Sequence, residues 1–199
     1  MDVGQMRLFD NLREHGDAPA LIDEQGTVVT YGDLSDRAES ISSEVEQRSL
    51  VFCFCTNTVE SVTGYVALTG AGHVCLMLSD SLGAEKVDSL ITTFRPNLLW
   101  CPADADNVPD LPVIAGMGTY QLRLNSGIPL DMHPDLSVLM STSGSTGSPL
   151  MVRQSRLNLA ANAASIVESL SLTAQDRALT TLPMNYTYGL SIVNSQLHC

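Results

Sequence analysis

The sequence predicts an α/β fold of three layers around a mostly parallel sheet. Three observations predict it. Continuous apolar runs at 50–55, 74–78 and 98–101 have the length of strands buried on both faces. Stretches at 58–69 and 86–94, between those runs, read as helices. Buried strands alternating with helices make parallel units, because each crossover needs a helix to carry the chain back.

The elements follow in order. Residues 20–22 and 27–30 flank Asp23-Glu24-Gln25-Gly26 and predict a hairpin. Thr30 with Asp33 makes a capping-box-like start to a helix, and Leu34, Ala38, Ile41 and Val45 share one face of it. The strand at 50–55, the helix at 58–69 and the strand at 74–78 come next. The helix over 86–94 stops before Arg95-Pro96, since proline disfavours helical backbone in the residue before it. After the strand at 98–101, the acidic, proline-bearing stretch 102–112 reads as a surface loop. Strands are expected at 111–114, 120–124 and 137–142, then a helix over 157–170, a strand over 178–182 and a helix over 188–197. No repeat or composition break divides the chain, so 1–199 reads as a single domain or a large piece of one.

Composition excludes several classes. The chain is 44% hydrophobic and 16% charged, which argues against disorder. Its net charge of −12 leaves no basic stripe for nucleic acid. The five cysteines are odd in number, and their spacing fits no zinc pattern. Those in the apolar runs behave as small buried hydrophobes. With no secretory signal at the start, this predicts a reduced, cytoplasmic setting. The apolar stretch 62–78 is interrupted by Gly64, Gly70, Gly72 and His73, so it predicts a helix running into a strand and no membrane span. His15, His133 and His198 have no clustering that suggests a metal. His73 reads as a satisfied structural histidine, and Trp100 as core with an N–H that needs a partner.

The most informative stretch is Ser141-Thr142-Ser143-Gly144-Ser145-Thr146-Gly147-Ser148-Pro149, directly after the apolar run Val138-Leu139-Met140. Glycines let backbone N–H groups turn toward an anion, and hydroxyls add donors for phosphate oxygens. Taken alone, such a stretch also fits a flexible Ser/Gly linker. Apolar, ordered-looking sequence on both sides favours a phosphate loop. The stretch is not a Walker A motif, because no lysine follows these glycines, and it contains no G-x-S-x-G elbow.

Thr142-Ser143-Gly144-Ser145-Thr146-Gly147-Ser148-Pro149 resembles the phosphate loop of the adenylate-forming superfamily, which usually reads [ST]-S-G-[ST]-T-G-x-P-K-G. Acyl-CoA synthetases, peptide-synthetase adenylation domains and luciferases belong to it. Gly16-Asp17-Ala18-Pro19-Ala20-Leu21 and Thr30-Tyr31-Gly32-Asp33-Leu34 resemble the family's opening. Residues 64–74 resemble its next block, and Leu182-Pro183-Met184-Asn185-Tyr186-Thr187-Tyr188-Gly189 resembles its L-P-x-x-H-x-x-G segment. The likeness runs over nearly all 199 residues, in the family's order.

The resemblance implies the first part of the family's large N-terminal domain. It implies a ligase that activates a carboxylic acid with ATP and Mg²⁺ to an acyl-adenylate, then passes the acyl group to a thiol of CoA or a carrier protein. By resemblance Thr142, Ser143, Gly144, Ser145, Thr146 and Gly147 wrap the phosphates, and Asn185 lies near the carboxylate. No catalytic residue and no metal ligand is assigned. The family's later acids and catalytic lysine lie beyond the second motif. The chain is therefore expected to be about half of the large domain, and to form homo-oligomers through exposed apolar surface.

Two departures stand out. Leu150 and Met151 replace the loop's Lys-Gly, which removes a charge-assisted phosphate contact. Arg153 is either a substitute cation or, favoured, a salt-bridged surface arginine. Asn185 stands where His is common; it donates and accepts but cannot carry charge, and it also suits a polar turn before Tyr186. Two alternatives stay open: a non-catalytic remnant or interaction module of the same fold, and an unrelated α/β phosphate binder.

Overall fold

The computed structural model describes residues 8–9, 11–141 and 151–199. After a short 3-10 helix, Leu12–His15, come β1 (Pro19–Ile22), β2 (Val28–Thr30) and α1 (Tyr31–Ser42). The next elements are β3 (Leu50–Cys55), α2 (Val59–Gly70), β4 (Val74–Ser79), α3 (Ala84–Phe94) and β5 (Leu98–Pro102). Then follow β6 (Val113–Met117), β7 (Tyr120–Leu124), β8 (Leu136–Ser141), β9 (Met151–Ser155), α4 (Arg156–Leu170) and α5 (Thr187–His198).

Among the described residues a seven-stranded sheet runs β6-β7-β5-β3-β4-β8-β9. Its centre is parallel, with Cys53 opposite Met77 and Trp100, and Cys75 opposite Val138. Both flanks turn antiparallel, β7 against β5 and β9 against β8. β1 and β2 form a separate antiparallel hairpin.

Successive side chains of a strand point to opposite faces, and the core divides accordingly. Val51, Cys53, Cys55, Cys75, Met77, Leu98, Trp100, Val138 and Met140 face one cluster with residues of α1, α2, α4 and α5. Leu50, Phe52, Phe54, Leu76, Leu78, Leu99, Cys101 and Leu139 face the other, which α3 covers through Val87 and Leu90. These are the three predicted layers.

Local chemistry sets the helix ends. The Asp33 N–H donates to Thr30 Oγ1 at 3.0 Å, and the Thr30 N–H donates to Asp33 Oδ2 at 3.1 Å. This is the reciprocal capping box read from the sequence. α3 stops at Arg95, whose left-handed φ of 50° takes the chain out before Pro96. Arg48 ties the amino-terminal ends of the parallel strands together by donating to the carbonyls of Gly72, Met132, His133 and Leu136.

The strand expected at 178–182 is not formed; the segment is irregular and exposed, with Leu179 81% accessible. Among the described residues it pairs with no strand, although β9 is the last strand on that side of the sheet. β9 carries Arg153, and β6 begins two residues later than the strand read at 111–114. His73 is buried and only half satisfied: Nδ1 accepts from the Ser49 N–H, while Nε2 has no partner among the described residues. Trp100 is fully buried and its Nε1 donates to the Glu60 carbonyl at 3.3 Å, as its polar edge requires.

Candidate functional site

Ligands of open α/β sheets gather at the carboxyl ends of the parallel strands. Here those ends are Cys55, Ser79, Pro102 and Ser141. Ser141 closes β8 at the start of the glycine- and hydroxyl-rich stretch, and its Cα pairs with Met151 of the returning β9. The predicted phosphate-contacting residues 142–147, and Leu150, lie outside the described residues.

Asn185 comes to this same edge. The Tyr186 N–H donates to the Pro183 carbonyl at 3.0 Å, which closes a four-residue turn with Asn185 at its third position. Met184, before it, is anchored in the core at 1% exposure. The Ser61 hydroxyl reaches the Met184 sulphur at 3.9 Å, and the Thr187 hydroxyl reaches the Met140 sulphur at 3.8 Å. The start of α5 therefore stands beside the last turn of β8, one residue short of Ser141. Asn185 is half-buried and makes no hydrogen bond with the described residues.

The motif glycine has a packing reason. A Cβ on Gly189 would run into the Pro183 carbonyl and come within 2.7 Å of the Leu182 oxygen. The backbone of 182–183 thus lies directly on α5, and only glycine permits that approach.

Arg153 sits on β9 opposite Leu139 and is exposed. It makes no ion pair among the described residues, so the expected surface salt bridge is not formed there. Among the described residues no group of three or more His, Cys, Asp or Glu side chains converges as a metal site. None of their helices is long and apolar enough to cross a membrane. The five cysteines are free thiols, and burial pushes Cys101 up to about 11 and Cys55 higher still, which keeps both as neutral thiols.

Sequence reading missed Asn57, in the turn between β3 and α2. It carries no motif, and its partners, Thr180 and Leu182, are more than 120 positions away.

Comparison with known proteins agrees with the geometry. The chain is 24% identical over 178 residues to a D-alanine–D-alanyl carrier protein ligase of Streptococcus agalactiae, a match covering 84% of this chain and 35% of that protein. It is 27% identical over 161 residues to the hybrid PKS-NRPS synthetase buaA of Petromyces alliaceus, covering 72% of this chain and 4% of that one. The chain thus spans about a third of the length of the ligase and far less of the synthetase. Its fold is shared with MatB from Rhodopseudomonas palustris, at a TM-score of 0.75 and 24% identity over 97% of this chain and 44% of that one. It is shared too with an AMP complex of O-succinylbenzoate coenzyme A synthetase from Bacillus subtilis, at 0.75 and 20% identity over 97% and 53%. The model of the AMP-binding enzyme family matches residues 8–199, which takes in both motif segments and every described element, and the chain belongs to that family.

Proposed function

We propose that this chain is a partial large domain of an adenylate-forming ligase, joining a carboxylic acid to AMP from ATP before transfer to a thiol of CoA or a carrier protein. One observation carries the reading. The strand end that leads into 142–147 and the turn that bears Asn185 meet at the carboxyl edge of the parallel sheet. Residues 142–147 would supply backbone and hydroxyl donors to the phosphates, and Asn185 would meet the carboxylate. Ser141, Asn185 and Thr187 are neutral hydrogen-bonding groups, a donor set that suits anionic oxygens but supplies no charge. Mg²⁺ would supply that charge on the phosphates when bound, held largely by phosphate oxygens. The named relatives act with a carrier protein or coenzyme A, which is why both thiols are proposed. The free thiols suit a reduced, cytoplasmic setting.

A second reading, a non-catalytic module of the same fold, is favoured by Leu150 in place of the loop lysine and by Asn185. Two measurements separate the readings: ATP binding with and without Mg²⁺, and carboxylate-dependent ATP–pyrophosphate exchange. D-alanine and o-succinylbenzoate are the acids to try, from the names of the similar proteins. Exchange with any of them upholds the ligase. ATP binding without exchange, in a protein that carries the family's later acids and catalytic lysine, favours the module. Binding of phosphate compounds without preference for ATP sinks both.

A further inference from the structure

Asn57 grips the segment that leads to Asn185. Its Nδ2 donates to the Thr180 carbonyl and, at 3.1 Å, to the Leu182 carbonyl. Both partners are acceptors only, so the amide must present its NH₂ to them and both protons are used. The turn carrying Asn57 is itself fixed. The Tyr120 hydroxyl donates to the Phe54 carbonyl at 3.0 Å and bonds the Thr56 hydroxyl at 2.8 Å. Thr58 caps α2 by accepting from the Ser61 N–H at 3.3 Å, and the Thr56 N–H donates to Ser61 Oγ at 3.2 Å. Ser61 then reaches the Met184 sulphur.

One braced turn therefore holds residues 180–184 at two points. Residues 173–182 are otherwise exposed and belong to no strand or helix. Asn185 makes no hydrogen bond of its own with the described residues, so its position follows from its neighbours. We propose that Asn57 is a positioning residue: through the Thr180 and Leu182 carbonyls it sets where Asn185 stands, and so how Asn185 meets a carboxylate substrate. The last step rests on the function proposed above; the placement of Asn185 does not.

The test uses the 199-residue chain. Asn57→Asp keeps the size and sets a carboxylate against two carbonyl oxygens. Asn57→Gln keeps the NH₂ one methylene farther out. Amide hydrogen exchange and ¹⁵N relaxation are read over 180–189, with Tm beside them. Asn57→Asp should speed exchange of amides in 180–186 by about ten-fold and lower the order of Asn185, with protection elsewhere and Tm nearly unchanged. Asn57→Gln should restore part of both. Unchanged exchange overturns the inference. So does loss of protection spread evenly over the chain with a lower Tm, because that marks a contact supporting the whole fold. If Asn57→Asp does not fold, Asn57→Ser is read by the same outcomes. Absence of carboxylate-dependent pyrophosphate exchange in a protein that carries the family's later acids and catalytic lysine sinks the proposed function, and the hydrogen-exchange result on this chain still decides whether Asn57 places Asn185.

Discussion

The Tyr65 hydroxyl donates to Asn194 Oδ1 at 3.0 Å, across 129 positions of sequence. Tyr65 is fully buried in α2, and Asn194, on α5, is 3% exposed. Burial pushes the phenol above its ordinary value, so it stays protonated and donates throughout the working pH range. The bond joins the first half of the sheet's cover to the last helix.

Tyr65→Phe keeps the ring and strands the Asn194 oxygen. A buried acceptor left alone costs about 1–3 kcal/mol. The Tm should fall by about 2–4 °C for each kcal/mol lost in a chain of this size. Tyr65→Phe combined with Asn194→Leu should cost less than the sum of the single changes, since no orphaned oxygen remains. Urea unfolding of the four proteins measures this, and additive costs would sink the argument.

Gly64 faces the indole of Trp100 so closely that a Cβ would overlap Nε1 and Cδ1. Trp100 cannot retreat, because it is fully buried and its N–H is held by the Glu60 carbonyl. Gly64→Ala should therefore destabilise by about 3 kcal/mol, at the upper end for overpacking, despite alanine's better helix propensity. Trp100 is the only tryptophan, so its fluorescence reports the change directly. An unshifted emission and a raised Tm would show that the helix moves aside.

What the sequence disclosed was local or family-borne. The Thr30–Asp33 box spans four residues, and the strand at 50–55 matches the observed Leu50–Cys55, because burial on both faces leaves a continuous apolar run. The segment 178–182 has strand-like composition, but a strand needs a distant partner as well, and among the described residues none pairs with it. β9 is only weakly marked in the sequence: Val152 and Arg153 are exposed, and its order comes from the hairpin with β8. Asn185 is singled out by its motif alone. The Asn57 clamp is not, because no local pattern announces a bond across 125 positions.

Gly189 tests whether the second motif is a backbone requirement. Its neighbours are the carbonyls of Leu182 and Pro183, which cannot swing away as a side-chain tip can. Gly189→Ala should cost about 1–3 kcal/mol and displace the turn carrying Asn185. NMR shift changes concentrated in 180–190 would support this. Changes absent there, with stability intact, would show that α5 tolerates the extra carbon.

His73 predicts a pH dependence with a definite sign. Its Nδ1 accepts from the Ser49 N–H at 3.1 Å, so the folded ring is neutral with its proton on Nε2. Burial, and then the nearby Arg48 charge, hold its pKa below the ordinary imidazole value. The unfolded chain takes up a proton near pH ~6.5, where the folded protein does not. Stability is thus fully present above that pH and is lost as pH falls toward the folded pKa. Between about pH 6.5 and 5, unfolding free energy should drop with a slope of at most about 1.4 kcal/mol per pH unit. Asp23 and Asp33, whose hydrogen bonds hold their pKa values below the usual carboxylate range, titrate beneath this window. His73→Gln can still accept from Ser49 and cannot take the proton. It should flatten the slope whatever it does to absolute stability, and a slope that survives in His73→Gln places its origin elsewhere.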